Sequence, residues 1–195
     1  MKKSEIRKLY LEKRKGLSKD EVQNLSEEIF NQFIFYFKPS ENQLVHLFLP
    51  IKKLNEMDTN IFINYFFKNK IRVFVPKIVE NKLISVELKE NSVLIENLWG
   101  ILEPESNEDS GEKDFEFVIT PLLYCDAKGN RVGYGKGFYD DFFKSIHSKT
   151  LKIGINYFSP QEKIDDVWKE DIPLDYLVMP TEVLSFGNLE SKSTK

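Results

Sequence analysis

The chain has 195 residues, 41% hydrophobic and 30% charged, which suits one domain with a sizeable core and excludes a mainly disordered chain. Its formal charge of −3 argues against a general nucleic-acid binder, which needs a basic excess. A lone cysteine, Cys125, cannot pair within the chain and suits a reducing compartment, while two histidines, His46 and His147, exclude a histidine-rich metal site but not magnesium on carboxylates.

The N-terminal stretch MKKSEIRKLYLEKRKG is charged and lacks an apolar signal core. It reads as a basic helix capped by Ser4, running to about Lys15 and stopped by Gly16. Ser18 and Glu21 form a capping box. Val22, Leu25, Ile29, Phe33 and Phe37 then recur at helical spacing until Pro39, a stripe that predicts core packing. Leu44 to Leu49 reads as a buried strand closed by Pro50. A loop from Ile51 to Met57 leads to a helix capped by Asp58 or Thr59 and ending near Asn69. Ile71 to Val75 predicts a strand ended by Pro76, and Leu83 to Leu88 a half-exposed strand.

Between Glu103 and Asp114 six acidic residues and one lysine accompany Pro104, Ser110 and Gly111, the composition of a solvated loop. Glu116 to Thr120 reads as a strand, and Leu122 to Cys125 as its extension beyond Pro121. A helix is predicted from Phe138 to His147, and final strands from Leu151 to Ile155 and from Tyr176 to Met179. Strands alternating with helices predict an α/β fold with a mainly parallel sheet flanked by helices. Residues 1–184 are expected to form one domain, with 185–195 a polar, frayed tail. No apolar run approaches the length of a membrane helix, so a cytoplasmic protein with no membrane partner is expected.

Glycine marks the chemistry. Four of nine glycines, Gly129, Gly133, Gly135 and Gly137, fall in DAKGNRVGYGKGFYDDFF, between a predicted strand and a predicted helix. Glycines let backbone amides converge on an anion, and a helix N-terminus adds its free N–H groups and dipole. Lys136 and Arg131 supply a mobile and a forked positive charge. The loop therefore reads as a phosphate site, with an ordinary left-handed connection as the bland alternative. It is neither a Walker A motif nor G-x-G-x-x-G.

Arginine is scarce: only Arg7, Arg14, Arg72 and Arg131. Arg7 and Arg14 share a face of the first helix, with Lys3 one turn earlier, forming either a second phosphate clamp or a solvated basic face. Asp140, in the first turn after the glycine loop, can complement the helix dipole or hold Mg²⁺ beside phosphates. Asp171 could reach the same ion. Glu56 lies beyond the first strand, where residues often line a pocket.

These segments, in this order, resemble the 5-formyltetrahydrofolate cyclo-ligase family from about Lys3 to Glu182. GNRVGYGKGFYD carries the resemblance most specifically, supported by KSEIRKLYLEKR, NEMDT, VFVPK, WGILEPE and EDIPLDYLVMPTEV. The resemblance implies a fold like the NagB/RpiA/CoA-transferase group, with ATP and Mg²⁺ as co-reactants. It implies ATP contacts at Lys3, Ser4, Glu5, Ile6 and Arg7, and at Arg131, Val132, Gly133, Tyr134, Gly135, Lys136, Gly137, Phe138 and Tyr139. Lys136, Arg131 and Tyr139 are the catalytic candidates, and Asp140 and Asp171 the magnesium ligands. Glu56 would bind the pterin, Tyr134 to Phe138 would border the folate, and Trp99 would cover it by stacking.

The implied reaction converts 5-formyltetrahydrofolate, with or without a polyglutamate tail, to 5,10-methenyltetrahydrofolate. ATP phosphorylates the formyl oxygen, N10 attacks the activated carbon, and phosphate leaves. A monomer is expected, with no nucleic-acid partner. The rivals are a non-catalytic nucleotide- or folate-binding protein of the same fold, a sugar-phosphate isomerase or CoA transferase, and a nucleic-acid module built on the basic helix.

Overall fold

The computed structural model describes residues 1–97 and 101–187. Helix α1 (Lys3–Lys15) starts before the expected Ser4 cap, because Glu5 Oε2 accepts the Lys2 backbone N–H at 2.8 Å and closes the first turn. Helix α2 (Lys19–Phe37) opens on the expected box: Ser18 Oγ accepts from the Glu21 N–H at 3.2 Å, and Glu21 accepts from the Ser18 N–H at 2.8 Å. Strand β1 (Leu44–Leu47) and helix α3 (Asn60–Lys68) follow as expected. Asp58 Oδ1 accepts from the Asn60 N–H at 3.1 Å.

The next strand differs from its sequence reading. Strand β2 (Arg72–Val79) runs through Pro76 and turns back into β3 (Lys82–Leu88). β1 pairs with β2 only as far as Phe74. Ser85, opposite Pro76, gives its backbone to the acidic loop: its carbonyl accepts from the Ser110 N–H at 2.8 Å, and its N–H donates to Asp109 Oδ1 at 3.3 Å. Pro76 thus meets Ser85 as a non-hydrogen-bonded pair and faces a flank that β1 has already left, so its missing N–H removes no ladder bond. The acidic loop is correspondingly more than a solvated connection, because it satisfies part of the exposed edge of β3. The β2–β3 turn, Glu80 and Asn81, has φ of 49° and 61°, the left-handed pair of a tight hairpin.

Two short hairpins were not legible. β4 (Leu94–Glu96) pairs with β5 (Leu102–Pro104), which takes in the start of the acidic segment. After β6 (Phe117–Thr120), the apolar run does not extend that strand. Tyr124–Cys125 forms a separate β7, paired antiparallel with β8 (Arg131–Val132). Helix α4 (Phe138–Ser145), β9 (Leu151–Ile155) and β10 (Tyr176–Val178) match expectation to within two residues. A further edge strand, β11 (Val183–Ser185), enters the expected tail, and Phe186 packs with Leu122 and Leu174.

Seven strands form the main sheet in the order β11-β10-β9-β6-β1-β2-β3. The five inner strands are parallel, and the two edges antiparallel. Side chains alternate between faces. Val45, Leu47, Val73, Val75, Phe117 and Ile119 pack with Ile29, Phe33, Phe62 and Phe66 of α2 and α3. Phe74 and Val118 pack on the other face with Phe142 and Phe143 of α4. α1 packs apart from both, laying Ile6 and Tyr10 against Leu123, Tyr124 and Val132 at the small hairpin. Along the sheet, β1 is followed by β2 on one side and by β6 on the other. This reversal opens a crevice at the carboxyl ends of β1, β6 and β9, where ligands of such sheets bind. Among the described residues no helix is long and apolar enough to cross a membrane.

His46 sits on the α4 face, fully buried, with neither ring nitrogen hydrogen-bonded among the described residues. Its ring lies 4.6 Å from that of Phe142. Burial pushes its pKa down to about 3, so between that value and about 6.5 only the unfolded chain takes up this proton. Stability from this group is complete above about pH 6.5 and falls below it by about 1.4 kcal/mol per pH unit. Urea unfolding at pH 7.5 and pH 5 should show wild type losing about 2 kcal/mol more than His46→Leu; equal losses would contradict this.

Candidate active site

Glu56 lies in the crevice, 4% exposed. The chain puts it there by a short 3-10 turn, Lys52–Leu54, just beyond β1. Its Oε2 accepts from the Ile51 N–H at 2.7 Å. Its Oε1 accepts from the Tyr134 hydroxyl and lies 3.9 Å from Arg14 Nη2. Burial raises the Glu56 pKa, while Arg14, the Tyr134 hydroxyl and the Ile51 amide oppose the rise. Arg14 is itself 4% exposed. It donates to the Leu122 carbonyl at 3.3 Å and to the Tyr134 oxygen. The basic face of α1 is therefore not wholly solvated, because Arg14 enters the crevice. Phe48, Pro121, Asn156 and Tyr157 complete the lining.

The glycine loop crosses the mouth of this crevice. Arg7 Nε donates to the Gly133 carbonyl at 2.8 Å. Gly135 has a φ of 88°, and a Cβ there would come within 3.1 Å of the Arg7 guanidinium. Gly137 has a φ of 74° and open space where a Cβ would stand. The amides of Tyr134, Gly135, Lys136 and Gly137 donate to no acceptor among the described residues. Lys136 is exposed, and its amine has no partner among the described residues. Free amides, left-handed glycines, an unengaged lysine and the start of α4 make an anion cradle.

Behind the loop is an ion-pair cluster. Arg131 Nη2 donates to Asp140 Oδ1 at 2.7 Å, and Nη1 donates to the Ile172 carbonyl. The same Asp140 oxygen accepts the Ile172 N–H at 3.0 Å. Desolvation lowers the Arg131 pKa, with Asp140 pulling the other way. Lys3 Nζ pairs with Asp171 Oδ2, which also accepts the Trp168 N–H at 2.6 Å. Asp140 is thereby bonded to Ile172, the residue that follows Asp171 in the chain. Asp140 Oδ2 and Asp171 Oδ1 accept no hydrogen bond among the described residues. No group of three or more His, Cys, Asp or Glu side chains that could hold a metal occurs among the described residues. Two carboxylates beside an anion cradle nevertheless suit Mg²⁺, which takes much of its coordination from phosphate and water.

Other expected residues lie differently. Ile6 and Val132 are buried in the α1 packing, so their side chains belong to the core. Ser4 and Glu5 are exposed on the first turn of α1. Phe138 opens α4. The Tyr139 hydroxyl is buried without a partner among the described residues, its ring 6.4 Å from that of His46, and burial raises its pKa. Trp99 lies outside the described residues. Cys125 is a buried free thiol whose pKa burial raises. Sequence reading missed Asn156 and Tyr157; their signal was position alone, just past the end of β9.

Arg14→Met should leave Glu56 buried without its cation and destabilise the fold by about 3 kcal/mol. Adding Glu56→Gln should recover most of that loss in urea unfolding; an additive double variant would show the pair to be uncoupled.

Residues 1–180 match the model of the 5-formyltetrahydrofolate cyclo-ligase family. The 5-formyltetrahydrofolate cyclo-ligase of Mycoplasma genitalium is 31% identical over 180 residues, covering 90% of this chain and 96% of that protein. That of Escherichia coli K12 is 26% identical over 178 residues, covering 88% and 97%. The NMR structure of Aquifex aeolicus 5,10-methenyltetrahydrofolate synthetase has a TM-score of 0.81 at 32% identity, covering 100% of this chain and 97% of that one. With this fold, and the glycine loop set over Glu56, the chain belongs to the 5-formyltetrahydrofolate cyclo-ligase family.

Proposed function

We propose that this enzyme converts 5-formyltetrahydrofolate to 5,10-methenyltetrahydrofolate with consumption of ATP in the presence of Mg²⁺. The observation that carries the reading is the adjacency of two stations: an anion cradle at Gly133 to Gly137 and a buried carboxylate, Glu56, under the same loop. Tyr134 bonds Glu56 from within that loop, so the stations share a wall.

The formyl group on N5 is amide-like, and its oxygen is a poor leaving group. ATP, when bound, supplies the phosphoryl group that turns this oxygen into a leaving group, and Mg²⁺ screens the charge. Ring closure is attack by N10 on the formyl carbon. For their part, the protein's residues position and neutralise, which is the main demand of phosphoryl transfer. Lys136 reaches from the exposed loop toward phosphate oxygens. Backbone amides of the loop hold them, and Arg7 braces the loop at Gly133. Lys3 and Arg131 orient Asp171 and Asp140, whose free oxygens would hold the metal. Glu56 accepts from the amino and ring N–H groups of a pterin, and its burial strengthens those bonds. No nucleophilic side chain is needed. The reading takes the enzyme as a monomer of the cytoplasm, acting on folates with or without a polyglutamate tail. A binding protein without catalysis is the second reading. It is less favoured, because Lys136, Asp140, Asp171 and Glu56 are all present in the geometry described.

Lys136→Ala should fold normally, with the same cooperative thermal unfolding, and lose at least 100-fold in turnover, about 3 kcal/mol at the transition state. Turnover is followed as the ATP-dependent rise of methenyl-folate absorbance; wild-type turnover in the variant would remove Lys136 from the chemistry. Asp171→Asn should raise the Mg²⁺ concentration needed for half-maximal turnover several-fold, measured by titrating metal at saturating ATP and folate. An unchanged requirement would mean that Asp171 serves only to hold Lys3.

A further inference from the structure

Both oxygens of Glu56 are already engaged. Oε2 holds the Ile51 amide, and Oε1 holds the Tyr134 hydroxyl. The crevice around them leaves about 10 Å³ of free space for water-sized occupants, about the room of one water molecule. A pterin ring does not fit in that space, and the Tyr134 hydroxyl holds the Glu56 oxygen that a pterin N–H would need.

The chemistry of the Tyr134 hydroxyl is specific. It donates to the Glu56 carboxylate and accepts from the Arg14 guanidinium. One oxygen thus presents a donor to an anion and an acceptor to a cation. The lactam edge of a 2-amino-4-oxopterin offers the same pair side by side: a ring N–H donor and a carbonyl acceptor. Tyr134 occupies the site in the pattern that the ligand would present.

Its setting in the chain allows it to leave. Gly133 precedes it and Gly135 follows, the latter at a φ of 88°. Tyr134 is 37% exposed as a residue while its hydroxyl bonds Glu56 and Arg14, so it lies between crevice and solvent. The loop is fastened at two points, Arg7 on the Gly133 carbonyl and Glu56 with Arg14 on Tyr134. Beyond Tyr134 the amides have no acceptor and Lys136 no partner among the described residues. Freeing Tyr134 releases the second fastening while Arg7 keeps the first.

We propose that Tyr134 is a positioning residue that holds Glu56 and Arg14 in the folate-free enzyme and is displaced by the pterin, so that arrival of the folate frees the glycine loop. The inference rests on the folate reading given above. Folate binding then carries the work of breaking the two Tyr134 bonds, and that work lowers its apparent affinity. In return, the loop that meets phosphate is released only when the substrate is in place.

The test is calorimetric titration with 5-formyltetrahydrofolate, without ATP, of wild type and Tyr134→Phe. The variant lacks the hydroxyl and keeps the ring. It should unfold at a lower temperature, because Glu56 and Arg14 lose a partner, yet bind the folate about ten-fold more tightly, a change of about 1.4 kcal/mol. A purely structural tyrosine would lower stability and leave affinity unchanged. A tyrosine that contacts bound substrate through its hydroxyl would give weaker binding. Either result overturns the proposal. Wild type that binds no folate overturns both the proposal and the reading beneath it, whereas wild-type binding with no gain in the variant overturns the proposal alone. A second measurement uses wild type labelled with [¹³Cζ]tyrosine, the Tyr134 resonance being assigned by its absence from Tyr134→Phe. Saturating 5-formyltetrahydrofolate should move it toward the value of a water-exposed tyrosine; a resonance that stays in place also overturns the proposal.

Discussion

A carboxylate that is 4% exposed must recover the hydrogen bonds that water would have given it. Glu56 takes hydrogen bonds from the turn after β1 through Ile51 and from the glycine loop through Tyr134, and an ion pair at 3.9 Å from α1 through Arg14. None of these is a neighbour in the main sheet. The buried charge therefore ties together parts that hydrophobic packing alone would leave independent, since α1 packs on the small hairpin and not on the central sheet. Without that requirement, α1 would have no reason to bury an arginine.

The division of cations follows the same logic. Three of the four arginines serve fixed acceptors. Arg7 takes a carbonyl, Arg14 takes a carbonyl and a phenol, and Arg131 takes a carbonyl and a carboxylate. Each uses the fork of the guanidinium to hold backbone in place. Lysine serves both ends of the range: Lys136 is left free among the described residues, whereas the buried Lys77 holds the Pro104 and Glu105 carbonyls. Lys3 pairs with Asp171, and that pair orients a carboxylate and does not brace the chain.

Much of this was legible in the sequence, and the failures have physical causes. The inner parallel strands are continuous apolar runs bounded by prolines and polar residues, so β1, β6 and β9 could be read directly. Pro76 misled because its cost depends on what lies beside it, and the end of β1 is a tertiary fact. The two-residue strands Tyr124–Cys125 and Arg131–Val132 are too short to carry a period. The acidic loop looked solvated because its edge-covering bonds use backbone and one aspartate, neither of which shows in composition. The glycine loop was plain from its density of glycines between a predicted strand and a predicted helix. Glu56, Asp140 and Asp171 were individually weak signals, and their resemblance to a known family singled them out. What no pattern contained was the Tyr134–Glu56–Arg14 contact, which joins three segments far apart in sequence.

The last step concerns α1. Lys3 meets Asp171, Arg7 meets Gly133, and Arg14 meets Glu56 and Tyr134. Lys3 and Arg14 are eleven residues apart, which in a helix is about 16 Å. Four- and seven-residue steps return side chains to nearly one face, so a single rigid element faces three successive stations: carboxylates suited to a metal, an anion cradle and a buried carboxylate. The proposed reaction, which brings a polyphosphate to a heterocycle, needs those stations at a fixed separation. Loops could not keep that distance, and the central sheet supplies only the Glu56 end. The helix holds the spacing because its length is set by backbone hydrogen bonds and not by the contacts it makes. On the proposal above, the glycine loop is then the one station that moves, while α1 fixes the carboxylates on either side of it.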